Sequence, residues 1–312
     1  MQLKNLFNAS VIGGAVLAAA HPGQHEERVS PEVQALKRDV RHGLKKCSTR
    51  LEQSGLQARA KARRKSVVEM CCRQLMARDT SAVLSKSHNM TGSASPSSAE
   101  EISKSSDEKV CLLGPSLEGE TGPYWIPGER IRSKLRESEP GVPVIVEQQY
   151  IDVNTCQPIP NLYTEIWRTF LRGAQKTNAD GIVTFDTLFP GHYDSRTTDY
   201  HDIARFNAAP LPNNTLTGGT IPHIAQIFLG PGHYQYRGSR STRTTRTTFL
   251  STPNAKDRVV RQETEGTDAD PMLNYAYLGD KVEDGLFAWI TVVVNVSAVQ
   301  YPYYTNVWTA SG

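Results

Sequence analysis

The densest group of side chains that could bind a metal lies between residues 192 and 202. Tyr193, Asp199 and His201 bring a phenol, a carboxylate and an imidazole within nine residues, and Arg196 lies among them. Phenolate and imidazole ligands favour Fe(III), because an anionic oxygen stabilises the ferric state over the ferrous state. By residue type alone, an ordinary polar hairpin explains this cluster better, since short polar clusters are common in loops.

The elements that must position this cluster are short strands. From residue 142 onwards, β-rich runs separated by Gly, Pro, Asn and Asp occupy 142–150, 162–167, 182–185, 224–228, 275–278 and 287–294. No helical periodicity separates these runs, which favours a mainly β fold, an antiparallel β-sandwich or a barrel. The sequence contains no GxGxxG, Walker A or GxSxG motif, which excludes the commonest nucleotide and serine-hydrolase sites.

The N-terminal part of the chain is helical and basic. Apolar residues recur at three- and four-residue steps from Val33 to Leu51, and a second helix is predicted over about 56–75, after Gly55. The basic run at 59–65 in that helix could be a solvated face, a polyanion contact or a dibasic processing site. We divide the chain into a signal peptide at 1–20, a basic helical leader at 21–90, a Ser-rich linker at 91–110, a β domain at 111–300 and a tail at 301–312.

The first twenty residues have the features of a secretory signal. Lys4 precedes a mostly apolar run at 6–20 that ends in three Ala, a small-residue cleavage site. This run is too short to span a bilayer comfortably, so we predict a secreted, extracellular protein with no membrane segment in its mature form. Asn89, Asn213 and Asn295 are candidate glycosylation sites that suit this compartment.

Five cysteines stand at 47, 71, 72, 111 and 156. They form no CxxC pair and show no zinc-finger spacing, and an oxidising compartment favours disulfides over metal thiolates. Cys111 and Cys156 flank one predicted strand region, so we expect them to pair. Cys47 would then pair with Cys71 or Cys72.

Composition excludes several classes of protein. Of the 312 residues, 38% are hydrophobic and 21% charged, which excludes a disordered chain, a collagen and a multi-pass membrane protein. The net charge of +3 is unevenly distributed, because residues 31–80 contain thirteen Lys and Arg but only five Asp and Glu. The rest of the chain is mildly acidic and shows no platform of aromatic and basic residues, so we expect no nucleic-acid partner.

Longer motifs resemble one enzyme family in their order along the chain. They lie at 122–124 (GPY), 150–159 (YIDVNTCQPI), 170–173 (FLRG), 180–193 (DGIVTFDTLFPGHY), 270–280 (DPMLNYAYLGD) and 284–290 (DGLFAWI). With these motifs, residues from about 111 to 300 resemble the intradiol ring-cleavage dioxygenases, especially their secreted fungal members.

The resemblance implies a β-sandwich that binds non-haem Fe(III) through two Tyr and two His. Catechol-type aromatics and O2 would be the partners, and cleavage of the ring to a muconate the reaction. Tyr193 matches the Tyr ligand that leaves iron when substrate binds, and His201 matches a His ligand. Arg196 matches the cation that stabilises the electron-rich ring, and Tyr124 belongs to a substrate-binding motif. The number of subunits stays open, with a homodimer as one option.

Two of the four expected ligands are not found. Asp199 stands where the family has its first His, and we take it as a substitute metal ligand. The family's other Tyr lies in a loop of some tens of residues, but here only two residues separate Trp167 from Phe170. The chain is therefore either a degenerate paralogue or an imperfect translation that lacks an exon, and we expect poor dioxygenase activity from it as written.

Two other functions compete with this one. Cleavage after Ala20 exposes His21, which could bind copper in a histidine brace, but His21 precedes a loop and a charged helix rather than a core strand. The alternative is a catalytically inactive, secreted binding module whose basic segments contact acidic wall polymers.

Overall fold

The computed structural model describes residues 47, 50–51, 53–77, 112–113, 124–168, 170–191, 196–229, 252–264, 271–279 and 282–302. The predicted signal peptide, the Ser-rich linker, most of the tail, Asn89, Cys111 and Tyr193 lie outside these residues. Within these ranges, no helix combines the length and the apolar character that crossing a membrane requires.

These ranges include two α-helices, the short 3-10 helices Asn254–Lys256 and Val282–Asp284, and eleven strands. The α-helices are α1 (Leu56–Ala77) and α2 (Arg258–Thr264). The strands are β1 (Leu112–Leu113), β2 (Pro143–Asp152), β3 (Tyr163–Trp167), β4 (Gly173–Lys176), β5 (Ile182–Leu188), β6 (Asp199–Phe206), β7 (Ala209–Pro210), β8 (Leu216–Thr217), β9 (Thr220–Leu229), β10 (Met272–Tyr277) and β11 (Leu286–Val294).

Nine of the described strands form one sheet, in the order β4-β3-β6-β9-β10-β11-β2-β5 with β1 beside β11. Strand β10 joins the two halves of this sheet, because its start pairs with β9 and its remainder with β11. Most neighbours are antiparallel, as predicted, but β11 runs parallel to β2 along its whole length. The long segment between these two strands permits that arrangement, since parallel neighbours need a crossover connection. The mainly β prediction is confirmed, while the sandwich stays a prediction.

The two halves of the sheet share one hydrophobic core. Val144 and Val146 of β2 belong to this core, whereas Ile145 and Glu147 lie on the opposite face, as the two-residue repeat of a strand dictates. Tyr200 contributes to the same core from β6, in the other half of the sheet. Each fully buried Val or Ile contributes about 1.5–3 kcal/mol to folding.

A polar contact crosses this core. The Tyr150 hydroxyl donates to both carboxylate oxygens of Asp202, at 2.8 and 3.0 Å, and His223 Nε2 lies 3.4 Å from Asp202 Oδ2. All three side chains are fully buried. Burial raises the pKa of Tyr150 well above its usual value, and the neighbouring Asp202 charge raises it further. Tyr150 therefore remains a neutral donor that ties the two halves together.

The predicted pairing of Cys111 with Cys156 is wrong, because Cys156 forms a disulfide with Cys47. This bond also excludes the expected pairing of Cys47 with Cys71 or Cys72. Cys156 lies in the turn that follows β2, where its backbone N–H donates to Asp152 O at 2.7 Å. Its side chain belongs to a small apolar cluster in which three residues of the leader, Cys47, Leu51 and Leu56, pack against Ile151, Val153, Cys156 and Val293 of the β domain. The leader contacts the outer face of the sheet there, which sequence spacing does not reveal.

The start of α1 extends this contact. Arg63 donates to both carboxylate oxygens of Glu147, at 2.9 and 3.0 Å, and Arg64 donates to one of them at 2.7 Å. The Arg64 guanidinium also lies 5.5 Å from the Trp289 ring centre. Two residues of the basic run therefore bind the sheet rather than forming a solvated face. Burial alone would raise the pKa of Glu147, but the hydrogen bonds and charges of Arg63 and Arg64 outweigh it and lower the pKa below 4.5.

This ion pair predicts acid-sensitive packing of the leader. The pKa of Glu147 is lower in the folded chain than in the unfolded chain, so its stabilisation is present above about pH 4.5 and disappears as the pH falls through the folded value. We expect Glu147→Gln to cost about 1–3 kcal/mol of unfolding free energy at pH 7 and much less at pH 3. Denaturant titrations at both pH values measure this.

The control is Asp180→Asn, which removes an exposed carboxylate 3.7 Å from Arg59 and should change stability by less than about 1 kcal/mol. An equal cost of Glu147→Gln at both pH values would contradict the assignment.

Candidate functional site

The candidate site lies on three adjacent strands, on the face of the sheet opposite the main core. Trp167 of β3 is the register partner of His201 in β6, and His201 is the partner of Gln226 in β9. Asp199, two residues before His201, shares this face because side chains alternate along a strand. Tyr200 between them points the other way, and its hydroxyl donates to Leu188 O at 2.8 Å. Tyr200 is therefore a core residue and does not belong to the site.

Stacking fixes the ring of His201. The His201 and Trp167 rings are 5.1 Å apart with an angle of 15° between their planes, and both side chains are almost fully buried. The guanidinium of Arg172 lies 6.0 Å from the same Trp167 ring. Arg172 also binds Glu129 at 2.7 Å, so both an ion-paired guanidinium and the imidazole lie against the indole. Trp167 positions His201, a role that the sequence motifs did not indicate.

The carboxylate of Asp199 is already bound by a cation of the chain. Arg168 Nη1 donates to Asp199 Oδ1 and, at 3.3 Å, to the Asp199 carbonyl. The Arg168 and Asp199 side chains are 4% and 0% exposed, so this is a buried ion pair. Burial alone would raise the pKa of Asp199, but the charges of Arg168, Arg196 and His201 outweigh it and hold the pKa below its usual value. Asp199 is therefore ionised.

A short hairpin places Arg168 at this position. Strand β3 ends at Trp167 and β4 begins at Gly173, so five residues connect them. Leu171 in this connection has a φ of 61°, a left-handed conformation that is uncommon for a bulky residue, although its side chain is buried in the main core. At Gly173, the first residue of β4, a Cβ would lie only 2.8 Å from Arg132 O. Glycine therefore lets the strand approach the neighbouring backbone closely. The tight connection brings the residue after Trp167 next to the start of β6.

Arg196 belongs to a second buried ion pair. Its Nε donates to Asp257 Oδ2 at 2.8 Å, and its Nη2 donates to the side-chain oxygen of Gln226. Asp257 also accepts hydrogen bonds from three backbone N–H groups, those of Thr197, Val259 and Val260. Two of these lie in the first turn of α2, so Asp257 caps that helix. An Asp directly before a helix is a typical capping residue, but no local pattern indicates that Arg196 is the partner of Asp257.

The other predicted site residues are placed less directly. The backbone carbonyl of Tyr124 accepts a hydrogen bond from Arg172, which connects this residue to the Trp167 ring. Substrate binding by Tyr124 stays a prediction. Tyr193 lies outside the described residues, and glycosylation of the exposed Asn213 and the half-buried Asn295 stays a prediction.

The described residues do not fit a ferric ion. Among them, no group of three or more His, Cys, Asp or Glu side chains could hold a metal. Asp199 and His201 are two candidate ligands, and Asp199 Oδ2 lies 3.5 Å from His201 Nε2. Asp199 Oδ2 has no hydrogen-bond partner among the described residues. The Arg168 guanidinium beside them repels a cation.

Solved structures that this chain is similar to are dioxygenases. An intradiol ring-cleavage dioxygenase from Tetranychus urticae is 26% identical, with a TM-score of 0.49 over 64% of this chain and 100% of that chain. The dioxygenase domain of a carbohydrate-binding fusion protein from Streptomyces sp. SirexAA-E is 22% identical, with a TM-score of 0.40 over 59% and 99%. Catechol 1,2-dioxygenase from Pseudomonas arvilla C-1 is 12% identical, with a TM-score of 0.37 over 58% and 62%.

No protein-family model matches this chain, and no curated protein matches it either.

Proposed function

We propose that this chain is a secreted member of the intradiol ring-cleavage dioxygenases, and that it performs their reaction poorly as it stands. The family reaction is the O2-dependent cleavage of a catechol to a muconate at a non-haem Fe(III) centre. The observation that carries the second part of the proposal is the buried ion pair between Arg168 and Asp199.

The order of motifs and the position of two residues support the family. Arg196 and His201 are the residues that match the family's ring-stabilising cation and one of its His ligands. Gln226 connects them, because it lies opposite His201 in the sheet and accepts a hydrogen bond from Arg196. The two matching residues thus belong to one buried site.

The charges at this site support poor activity. The family's missing Tyr would supply a phenolate from a loop between β3 and β4, but that connection has five residues here. One of them, Arg168, brings a positive charge instead of a negative one. A ferric ion with the Asp199 carboxylate, the His201 imidazole, the predicted Tyr193 phenolate and this guanidinium would still carry a large uncompensated charge in a buried site, which is strongly unfavourable.

Secretion is supported by the disulfide between Cys47 and Cys156. Disulfides persist in oxidising compartments and are rare in the cytosol. The signal features at 1–20 predict the same compartment.

The test uses the full secreted chain. Purified after growth with iron, it should retain far less than one iron per chain, show no tyrosinate-to-iron absorption and consume no more O2 with catechol than Tyr193→Phe does. One iron per chain, the charge-transfer colour and catechol-dependent O2 consumption would together overturn the proposal of poor activity.

The transcript distinguishes the two origins of the missing loop. Sequencing across the codons of Trp167 and Phe170 should show either a continuous exon or a removed segment that encodes a Tyr. A continuous exon indicates a degenerate paralogue. A removed segment would return one of the two missing ligands, the Tyr, to the longer chain.

No observation favours the binding module over this proposal. Arg63 and Arg64 of the basic run are paired with Glu147 and are partly buried, so they are poorly placed to contact an acidic polymer.

A further inference from the structure

Asp199 and His201 form a pair of donor atoms with the spacing of two metal ligands. Two ligand atoms that each lie about 2.1 Å from one cation are about 3–4 Å apart, and the observed separation of Asp199 Oδ2 and His201 Nε2 is 3.5 Å. Both side chains are at least 98% buried, since Asp199 is 0% and His201 2% exposed. Asp199 Oδ2 is also a buried acceptor that has no hydrogen-bond partner in the described ranges.

A cation of the chain itself lies next to this pair. Arg168 binds the other carboxylate oxygen of Asp199 and also the Asp199 backbone carbonyl. Arg196, another cation near Asp199 among the described residues, has its charge balanced by Asp257, at 2.8 Å. Arg168 is therefore the group that compensates the buried charge of Asp199, the task that a bound metal would perform.

We propose that Arg168 takes the place of a metal ion at Asp199 and His201, and that its guanidinium is what keeps a metal out of this pair. The link to iron chemistry rests on the proposed function. The exclusion of a metal is argued from the ion pair between Arg168 and Asp199 and from the 3.5 Å between Asp199 Oδ2 and His201 Nε2. It makes the loss of iron chemistry depend on one side chain as well as on the missing loop.

The test compares the binding of Co(II) by wild type and by Arg168→Met. Methionine matches the length of the arginine stem but carries no charge, so it leaves Asp199 without a cation. Arg168→Lys is the matched control that keeps the positive charge at position 168. The double variant Arg168→Met/Asp199→Asn keeps the uncharged side chain at position 168 but removes the anionic ligand. Added CoCl2 should raise the thermal unfolding midpoint of Arg168→Met by about 5 °C or more and leave the other three chains unchanged.

Metal content after gel filtration and the visible absorption of Co(II) provide readouts that do not depend on activity. Binding of Co(II) by wild type or Arg168→Lys as tightly as by Arg168→Met would overturn the inference. A folded Arg168→Met without metal-dependent stabilisation would overturn it too. If Arg168→Met requires Co(II) to fold, the inference is supported; if neither it nor Arg168→Gln folds with Co(II) present, a metal cannot replace the guanidinium and the inference is wrong.

Failure of this inference is distinguishable from failure of the proposed function. The proposed function depends on the iron content and O2 consumption of the wild-type chain. Absence of Co(II) binding in Arg168→Met leaves those results untouched.

Discussion

Replacement of Asp257 by Asn should lower the free energy of unfolding by about 3–5 kcal/mol. The Asp257 side chain is fully buried and accepts hydrogen bonds from Arg196 and from three backbone N–H groups. Asparagine retains one oxygen acceptor but directs an amide NH2 towards those donors. It also removes the carboxylate that binds the Arg196 guanidinium, which is 3% exposed. The loss of this buried ion pair is what makes the expected effect large.

Denaturant unfolding at pH 7 measures this loss, with Asp180→Asn as the same substitution at an exposed carboxylate. Combining Asp257→Asn with Arg196→Met should recover part of the lost stability, because the second substitution removes the guanidinium that has lost its carboxylate partner. A cost below about 1 kcal/mol for Asp257→Asn would show that Arg196 finds another partner, and the assignment of Asp257 as its counter-charge would be wrong.

Removal of the disulfide between Cys47 and Cys156 should have an effect of similar size. The two cysteines are 109 residues apart, and a loop of that length contributes about 4–5 kcal/mol through the unfolded state in the chain-entropy description. The double variant Cys47→Ala/Cys156→Ala should lose about that much unfolding free energy. It should also become sensitive to proteases near Leu51 and Leu56, because their packing on the sheet depends on this link.

Peptide mapping of the unreduced wild-type chain provides the direct check. A linked pair of peptides containing Cys47 and Cys156 is expected. A linked pair containing Cys111 and Cys156 would contradict the structure, as would a double variant as stable as wild type.

The sequence by itself determined the mainly β character of the domain and the location of its strands in the core. The β-rich runs at 142–150 and 287–294 correspond to β2 and β11, because a buried strand leaves a local run of apolar and β-branched residues in the sequence. Strand β6 was missed, although it carries Asp199 and His201. Its sequence, DYHDIARF, is largely polar, and those polar groups are buried only because residues elsewhere in the chain bind them.

The partners of the site residues were decided by the tertiary structure alone. The pairs are Arg168 with Asp199, Arg196 with Asp257, and Cys47 with Cys156, which are 31, 61 and 109 residues apart. No local periodicity encodes such pairs, since each depends on which strands become neighbours and where their ends meet. The motifs identified Arg196, Asp199 and His201 as candidate residues, but only the folded chain shows that the carboxylate offered as a metal ligand is held by an arginine.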